Sequence, residues 1–443
     1  MSLSLRIEDI LSRGASAFGH KTAVRCGDRH LSYSQFYEAA LQRSREQAAG
    51  GIRRGAVVPL RARPTIDYLT EYFALHMNGA VVVPLASDFP PAEFEALQSR
   101  FRQTQVAPDI ADILFTTGTT GRSKGVMLTH QAVMADAENL VEGHRYTSEL
   151  SFLISGPLNH CGCWSKVFPC LLQGATILLQ DGMSGLDALF QTLESAPAPV
   201  ATFLVPSALR ILLRFGADRL AALSSHIDFI ETGGAPISQA DMQQLCHLLP
   251  STRLYNTYAS TETGIIATFD FSQGRCLYGC VGRPMKHSAF SLTSEGHVCC
   301  SGMTLMAGYL DDPELTQTIL RDGIITTTDL GSIDSEGMLH LDGRSDDTIN
   351  AGAYKVAPAE VENAAMELPA LRDCICIAVP HPILGSAPKL LYVADPQQPV
   401  SPRDIALHLK NRLEGYKVPQ AYEQVDRILT TYNGKKDRKA YKV

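Results

Sequence analysis

Seven short runs rich in valine, isoleucine, leucine and phenylalanine, at 57–60, 80–85, 113–115, 151–154, 175–179, 201–205 and 227–230, alternate with amphipathic stretches. Runs this short, apolar on both faces, fit strands covered on either side, and their alternation with helix-period segments predicts an α/β architecture built on buried sheets. The chain has 443 residues, 45% of them hydrophobic, which exceeds one compact core and suffices for two or three. A multidomain protein is expected.

The helical period is clearest over 65–77, where Tyr68, Leu69, Tyr72, Phe73, Leu75 and His76 form one stripe, and over 401–413, which opens on Ser401-Pro402. Beyond about 268, glycine, threonine and aspartate dominate and short strands replace long helices. After Gly343-Arg344-Ser345-Asp346-Asp347 a self-contained pattern begins, with a helix over 360–368, strands over 374–379 and 389–393, then the 401 helix. The predicted division is a large domain of stacked sheets and helices, 1–344, with a β-rich subdomain from about 268, and a small mobile α+β domain, 345–443.

Composition excludes several classes. A formal net charge of −7 argues against nucleic acid as the main partner, since phosphate-backbone binding needs clustered lysine and arginine. The one basic cluster is the tail, 435–442. No run reaches the roughly 20 apolar residues of a membrane helix, and the first residues carry charges where a signal segment is apolar, so a cytoplasmic location is expected. The eleven cysteines are scattered, and Cys161-Gly162-Cys163 lacks zinc-knuckle spacing, so reduced, mostly buried thiols are predicted.

The strongest local signal is Ile113-Leu114-Phe115-Thr116-Thr117-Gly118-Thr119-Thr120-Gly121-Arg122-Ser123-Lys124-Gly125. A strand runs into a loop with three glycines for tight turns, several hydroxyls and one lysine, the chemistry of a polyphosphate cradle. It is not a Walker loop, because Gly125 rather than serine or threonine follows Lys124. Gly121-Arg122-Ser123-Lys124-Gly125 also matches G-x-S-x-G, but that elbow needs its serine directly after a strand, and no HGGG-type segment is present. An α/β-hydrolase is therefore a remote alternative.

The loop resembles the signature of the ANL superfamily of adenylate-forming enzymes, which holds acyl-CoA synthetases, nonribosomal adenylation domains and luciferases. Four further segments follow in family order. Thr232-Gly233-Gly234-Ala235-Pro236 precedes Tyr255-Asn256-Thr257-Tyr258-Ala259-Ser260-Thr261-Glu262-Thr263. The resemblance implies that Thr116, Thr117, Gly118, Thr119, Thr120, Gly121, Ser123, Gly233, Gly234 and Ala235 bind ATP, that Tyr258 stacks on adenine, and that Thr261 meets the α-phosphate. It makes Glu262 the ligand of Mg2+, an ion suited to one carboxylate plus substrate phosphates. Ala259 replaces the usual glycine. Thr326-Thr327-Thr328-Asp329-Leu330-Gly331 and Asp342-Gly343-Arg344 imply a ribose grip by Asp329 supported by Arg344, with Thr328 at another usual glycine, and Asp346 as the hinge. In Asn350-Ala351-Gly352-Ala353-Tyr354-Lys355-Val356, Gly352 and Tyr354 would border the thiol channel. Asn433-Gly434-Lys435-Lys436-Asp437-Arg438-Lys439 would bring Lys435 as adenylation lysine, acting with Lys124 on the charge that builds at the phosphate.

By the same resemblance, Gly156-Pro157-Leu158-Asn159-His160-Cys161-Gly162-Cys163-Trp164 shapes the acyl pocket, with His160 near the reacting carboxylate. Amino-acid-activating relatives place aspartate after an aromatic residue there, so an α-amino acid is disfavoured. His160, Trp164, Val205, Tyr258, Ala259 and Ile265 suggest a mostly apolar pocket for a short or aromatic acid. Only about two dozen residues separate Leu85 from Asp112, so a strand-helix unit of the large domain is expected to be missing. The implied activity is ATP-dependent formation of an acyl adenylate, then a thioester with CoA; the alternative acceptor is the phosphopantetheine of a carrier protein. An inactive scaffold would lack a catalytic residue, yet Lys124, Glu262, Asp329, Arg344 and Lys435 are all present.

Overall fold

The computed structural model describes residues 5–117, 123–182, 185–197, 199–351, 354–382, 384–431 and 436–441, with the backbone alone for Thr117, Ser123 and Lys439. Each of the seven apolar runs falls on a strand, extending at most two residues beyond its ends: Val57–Arg61, Val81–Leu85, Ile110–Thr117, Ser151–Ile154, Thr176–Leu179, Val200–Phe203 and Ile227–Gly233. They divide between two sheets.

The smaller of these has five strands, in the order Gly308–Tyr309, Ser123–Thr129, Ile110–Thr117, Val81–Leu85, Val57–Arg61. Its last three strands are parallel and Ser123–Thr129 returns antiparallel, with Thr116 opposite Lys124. Helix Ile66–Met77 starts where the Thr65 hydroxyl accepts the Tyr68 amide at 3.2 Å, and it buries the predicted stripe. From that stripe Tyr72 donates to both oxygens of buried Asp112, at 3.0 and 2.9 Å, fastening the strand that leads to the glycine-rich loop. The shortened segment after Leu85 holds one helix, Pro91–Phe101.

The larger sheet has fourteen strands and runs from Ser288–Leu292 at one edge to Arg29–Ser32 at the other. Its parallel strands carry the apolar runs from 151 to 230, and Arg253–Ser260 continues them. Apart from Gly308–Tyr309, the strands from 280 to 344 are antiparallel and hydrogen-bonded to the same sheet through Ala267 opposite Pro284. The expected β-rich region is thus an extension of the large sheet.

The C-terminal sheet orders Tyr354–Val356, Ile349–Ala351, Gly385–Ala394 and Leu371–His381, with Ala421–Gln424 parallel to Gly385–Ala394. It has its own core of Ile349, Val356, Val361, Ala365, Leu390, Ile405 and Leu409. Helix Pro402–Lys410 opens with a reciprocal cap between Ser401 and Asp404. The end of the chain is tied in: Lys436 and Arg438 both bond Glu362, at 3.2 and 2.6 Å. Among the described residues, contacts with the large domain include Arg210–Asp373 at 3.2 Å, Arg214–Asp395 at 3.6 Å, and the Gln239 amide donating to Asn363 at 3.2 Å.

All eleven cysteines are free thiols. Burial pushes Cys163 and Cys374 up to about 12, which keeps them protonated and inert. Among the described residues no helix is long and apolar enough to cross a membrane.

Candidate active site

Strands Ile110–Thr117 and Ser123–Thr129 form the two legs of a hairpin whose tip, with Gly118, Thr119, Thr120 and Gly121, lies outside the described residues. Ser123 begins a strand rather than a helix, so the strand-serine-helix geometry of a hydrolase elbow is absent. On the returning leg, Lys124 places its ammonium 5.4 Å from the centre of the Tyr309 ring. The Tyr309 hydroxyl in turn donates to Glu262 Oε1 at 3.1 Å.

Tyr309 therefore stands between the lysine of the loop and the proposed metal carboxylate, a residue that no sequence motif marks. Its position is set by backbone stitching. Ala307 donates to the Met127 carbonyl at 2.8 Å, Leu310 to Gly125 at 2.7 Å, and Met306 to the Glu262 carbonyl at 2.8 Å. Glycine is required beside it: Gly308 has φ +149°, and a Cβ there would fall 2.7 Å from Thr316 Cγ2. Burial and Glu262 hold the Tyr309 phenol above its ordinary range, so it stays a donor. Tyr309→Phe is expected to lower the rate of acyl-dependent ATP–pyrophosphate exchange by about tenfold, the value of one hydrogen bond to a charged group.

A second group gathers Tyr258, Asp329 and Arg344. The Tyr258 hydroxyl donates to Asp329 Oδ2 at 2.5 Å, and burial with that carboxylate keeps the phenol protonated. Asp329 and Arg344 face each other across neighbouring strands, 3.9 Å from Oδ1 to Nε. Thr328, at the expected glycine position, accepts from Arg344 Nε and Nη2 at 3.1 and 2.7 Å, so its side chain steadies the guanidinium. Arg344 also pairs with Asp346 at 2.9 Å.

Gly233 ends its strand opposite Thr257, and a Cβ on it would fall 2.6 Å from the Thr257 carbonyl oxygen; Gly234 has φ +78° and turns the chain toward Ala235. The turn carrying Thr261 and Glu262 is fixed by Ser260 and Thr263, whose hydroxyls lie 2.9 Å apart. It is anchored by Asp136, whose Oδ1 accepts the Ile265 amide at 2.8 Å. Burial pushes Asp136 up to about 7. The fold thus favours its protonated form, so this group stabilises the protein fully below its ordinary 3.8 and the contribution is lost as pH rises through about 7. Asp136→Asn is expected to flatten that decline between pH 4 and 7 and to gain about 4 kcal/mol at pH 8, read from urea melts.

His160 caps helix Cys161–Trp164 and accepts the Gly162 amide on Nδ1 at 3.2 Å. Trp164 is buried, packs edge-on against Phe168 with centres 4.8 Å apart, and borders a small apolar void with Tyr68, Leu69 and Tyr72. Ala259 pairs with Ile265 across the hairpin, and Val205 precedes helix Pro206–Phe215. Beside these residues lies an unforeseen buried ion pair, Lys166–Glu231, at 2.7 Å. The signal for it was available: a lysine within an apolar helical run and a glutamate at the end of an apolar strand. Gly352 and Lys435 lie outside the described residues, while Tyr354 is exposed and stacks on Tyr416 with centres 4.5 Å apart.

Comparison with known proteins fits this geometry. The AMP-binding enzyme model matches residues 11–105 and 95–310, and the AMP-binding enzyme C-terminal domain model matches 360–435. A feruloyl-CoA synthase from an Amycolatopsis species is 27% identical, covering 96% of this chain and 96% of that protein. A 2-succinylbenzoate–CoA ligase of Staphylococcus epidermidis is 29% identical over 75% of this chain and 69% of its own length. Among solved structures, ATP-bound MatB from Rhodopseudomonas palustris superposes with a TM-score of 0.87 at 22% identity, covering 99% of both chains. The o-succinylbenzoate CoA synthetase of Bacillus subtilis with its acyl-adenylate intermediate gives 0.84 at 21% identity, covering 98% of both. With both of its domains matched in order, the chain belongs to the AMP-binding enzymes of the ANL superfamily.

Proposed function

We propose that the protein is an AMP-forming acid–thiol ligase that activates a carboxylic acid other than an α-amino acid and transfers the acyl group to CoA. The observation that carries this reading is the convergence of Lys124 and Glu262 on Tyr309, beside Tyr258 joined to Asp329 and Arg344. That array offers a cation and a carboxylate for a polyphosphate with its metal, and an aromatic face with an acceptor pair for a nucleoside.

Adenylation forms a bond from a carboxylate oxygen to the α-phosphorus of ATP and breaks the α–β phosphoanhydride, releasing pyrophosphate. Lys124, with Thr116 and the loop hydroxyls, holds the phosphates, Thr261 faces the α-phosphate, and Asp329 accepts from the ribose. Glu262 is a hard oxygen donor that suits Mg2+, which when bound neutralises phosphate charge. Lys435 supplies the positive charge that balances the transition state, and no nucleophilic side chain is required. In the second step the CoA thiol attacks the acyl carbonyl, AMP leaves, and the thiol proton is released. For that step residues 345–443 turn about Asp346, bringing the segment of Gly352 and Tyr354 to the thiol path. His160, Val205, Ala259 and Ile265 line the acyl pocket, with Trp164 packed into the core side of the same helix.

The test is mass spectrometry of products after incubation with ATP, magnesium, CoA and a panel of short, branched and aromatic acids. Acyl-CoA and AMP formed only with ATP are expected. Acyl-AMP without thioester would move the acceptor to a carrier protein, and no AMP with any acid would overturn the reading.

A further inference from the structure

Lys166 and Glu231 form an ion pair with side chains only 2% and 1% exposed. Glu231 lies two residues before Gly233, so both point to the same face of the strand. Lys166 lies two residues beyond the helix that His160 caps. Its ammonium is 5.1 Å from the centre of the Phe203 ring. That ring sits between two glycines: a Cβ at Gly162 would fall 2.9 Å from Phe203 Cε1, and one at Gly233 would fall 3.8 Å from Cε2.

Such a pair has no advantage in stability over two apolar side chains of similar volume, since desolvation offsets the attraction. Its bonding is also incomplete. Glu231 Oε2 is buried and makes no close hydrogen bond: it faces His144 Nδ1, also unpaired, at 3.5 Å, and the Thr257 hydroxyl acts on the carboxylate only weakly. Lys166 has N–H donors beyond the one given to Glu231. A buried acceptor left unpaired is costly, and in a binding site a ligand group relieves that cost.

We propose that the acid carries a hydroxyl at the end remote from its carboxylate, and that Lys166 and Glu231 recognise it. A hydroxyl both donates and accepts, matching a carboxylate and an ammonium already paired. A second carboxylate does not match: Glu231 cancels Lys166, burial keeps His144 neutral, and Asp136 adds negative charge as it ionises. This inference rests on the ligase reading and narrows its substrate.

The experiment compares kcat/KM for acids of one skeleton in three forms: plain, hydroxylated at the far end, and dicarboxylic. Benzoic, phenylpropenoic and hexanoic acids supply the skeletons, with AMP release as readout. For the skeleton that fits, the hydroxylated acid is expected to exceed the plain one by about 100-fold or more, as in sites built to bond a substrate hydroxyl. In the Lys166→Met/Glu231→Leu double variant, whose folding is checked by thermal unfolding, that ratio is expected to fall below about tenfold. AMP release from plain or dicarboxylic acids at rates equal to the hydroxylated form, or a ratio unchanged in the folded double variant, would overturn this inference alone. AMP from none of the acids would overturn the ligase reading and this one with it.

Discussion

Lys435→Ala is expected to slow acyl-adenylate formation by about a thousandfold while leaving the conversion of supplied acyl-AMP to acyl-CoA within about threefold of the wild-type rate. The asymmetry follows from the proposed turn about Asp346: Lys435 would face the α-phosphate in the first step, and the turn that brings Gly352 and Tyr354 to the thiol path would carry it away before the second. The neighbouring lysine makes the control. Lys436 bonds Glu362 at 3.2 Å and lies 3.3 Å from Asp373, within the small domain. Lys436→Ala is expected to cost about 2 kcal/mol of stability. Half-reaction assays and urea melts on both variants check the contrast: equal loss of both half-reactions in Lys435→Ala would remove it from the adenylation step.

Lys166→Met is expected to destabilise the large domain by about 3–5 kcal/mol, because it strands Glu231 as an uncompensated buried carboxylate. Burial already raises Glu231, with Lys166 opposing that shift. Once the lysine is gone, Glu231 takes up a proton at higher pH, and the deficit should shrink as pH is lowered toward 5. Urea melts at pH 5 and 8 measure this, and a deficit independent of pH would mean that lost packing rather than the stranded charge dominates.

The strands were legible in the sequence, and the residues proposed for the nucleotide were reached through the resemblance of their segments to the family's. Each apolar run proved to be a strand because burial on both faces leaves its mark in consecutive residues. Tyr258, Asp329, Arg344 and Lys124 were singled out because their segments resemble the family's motifs, and the structure brings Tyr258, Asp329 and Arg344 together. The expected β-rich region was identified from its strands, but its union with the large sheet was not, since that depends on Ala267 meeting Pro284.

The sequence by itself thus determined the α/β alternation and the order of the segments that resemble the family's. Tertiary structure alone decided that Tyr309 lies between Lys124 and Glu262, that Tyr258 donates to Asp329, and that Lys166 meets Glu231 sixty-five positions away. The physical reason is one of range. Periodicity and turn geometry are fixed by neighbouring residues, whereas these contacts arise only when strand register and core packing bring distant side chains into the same buried space.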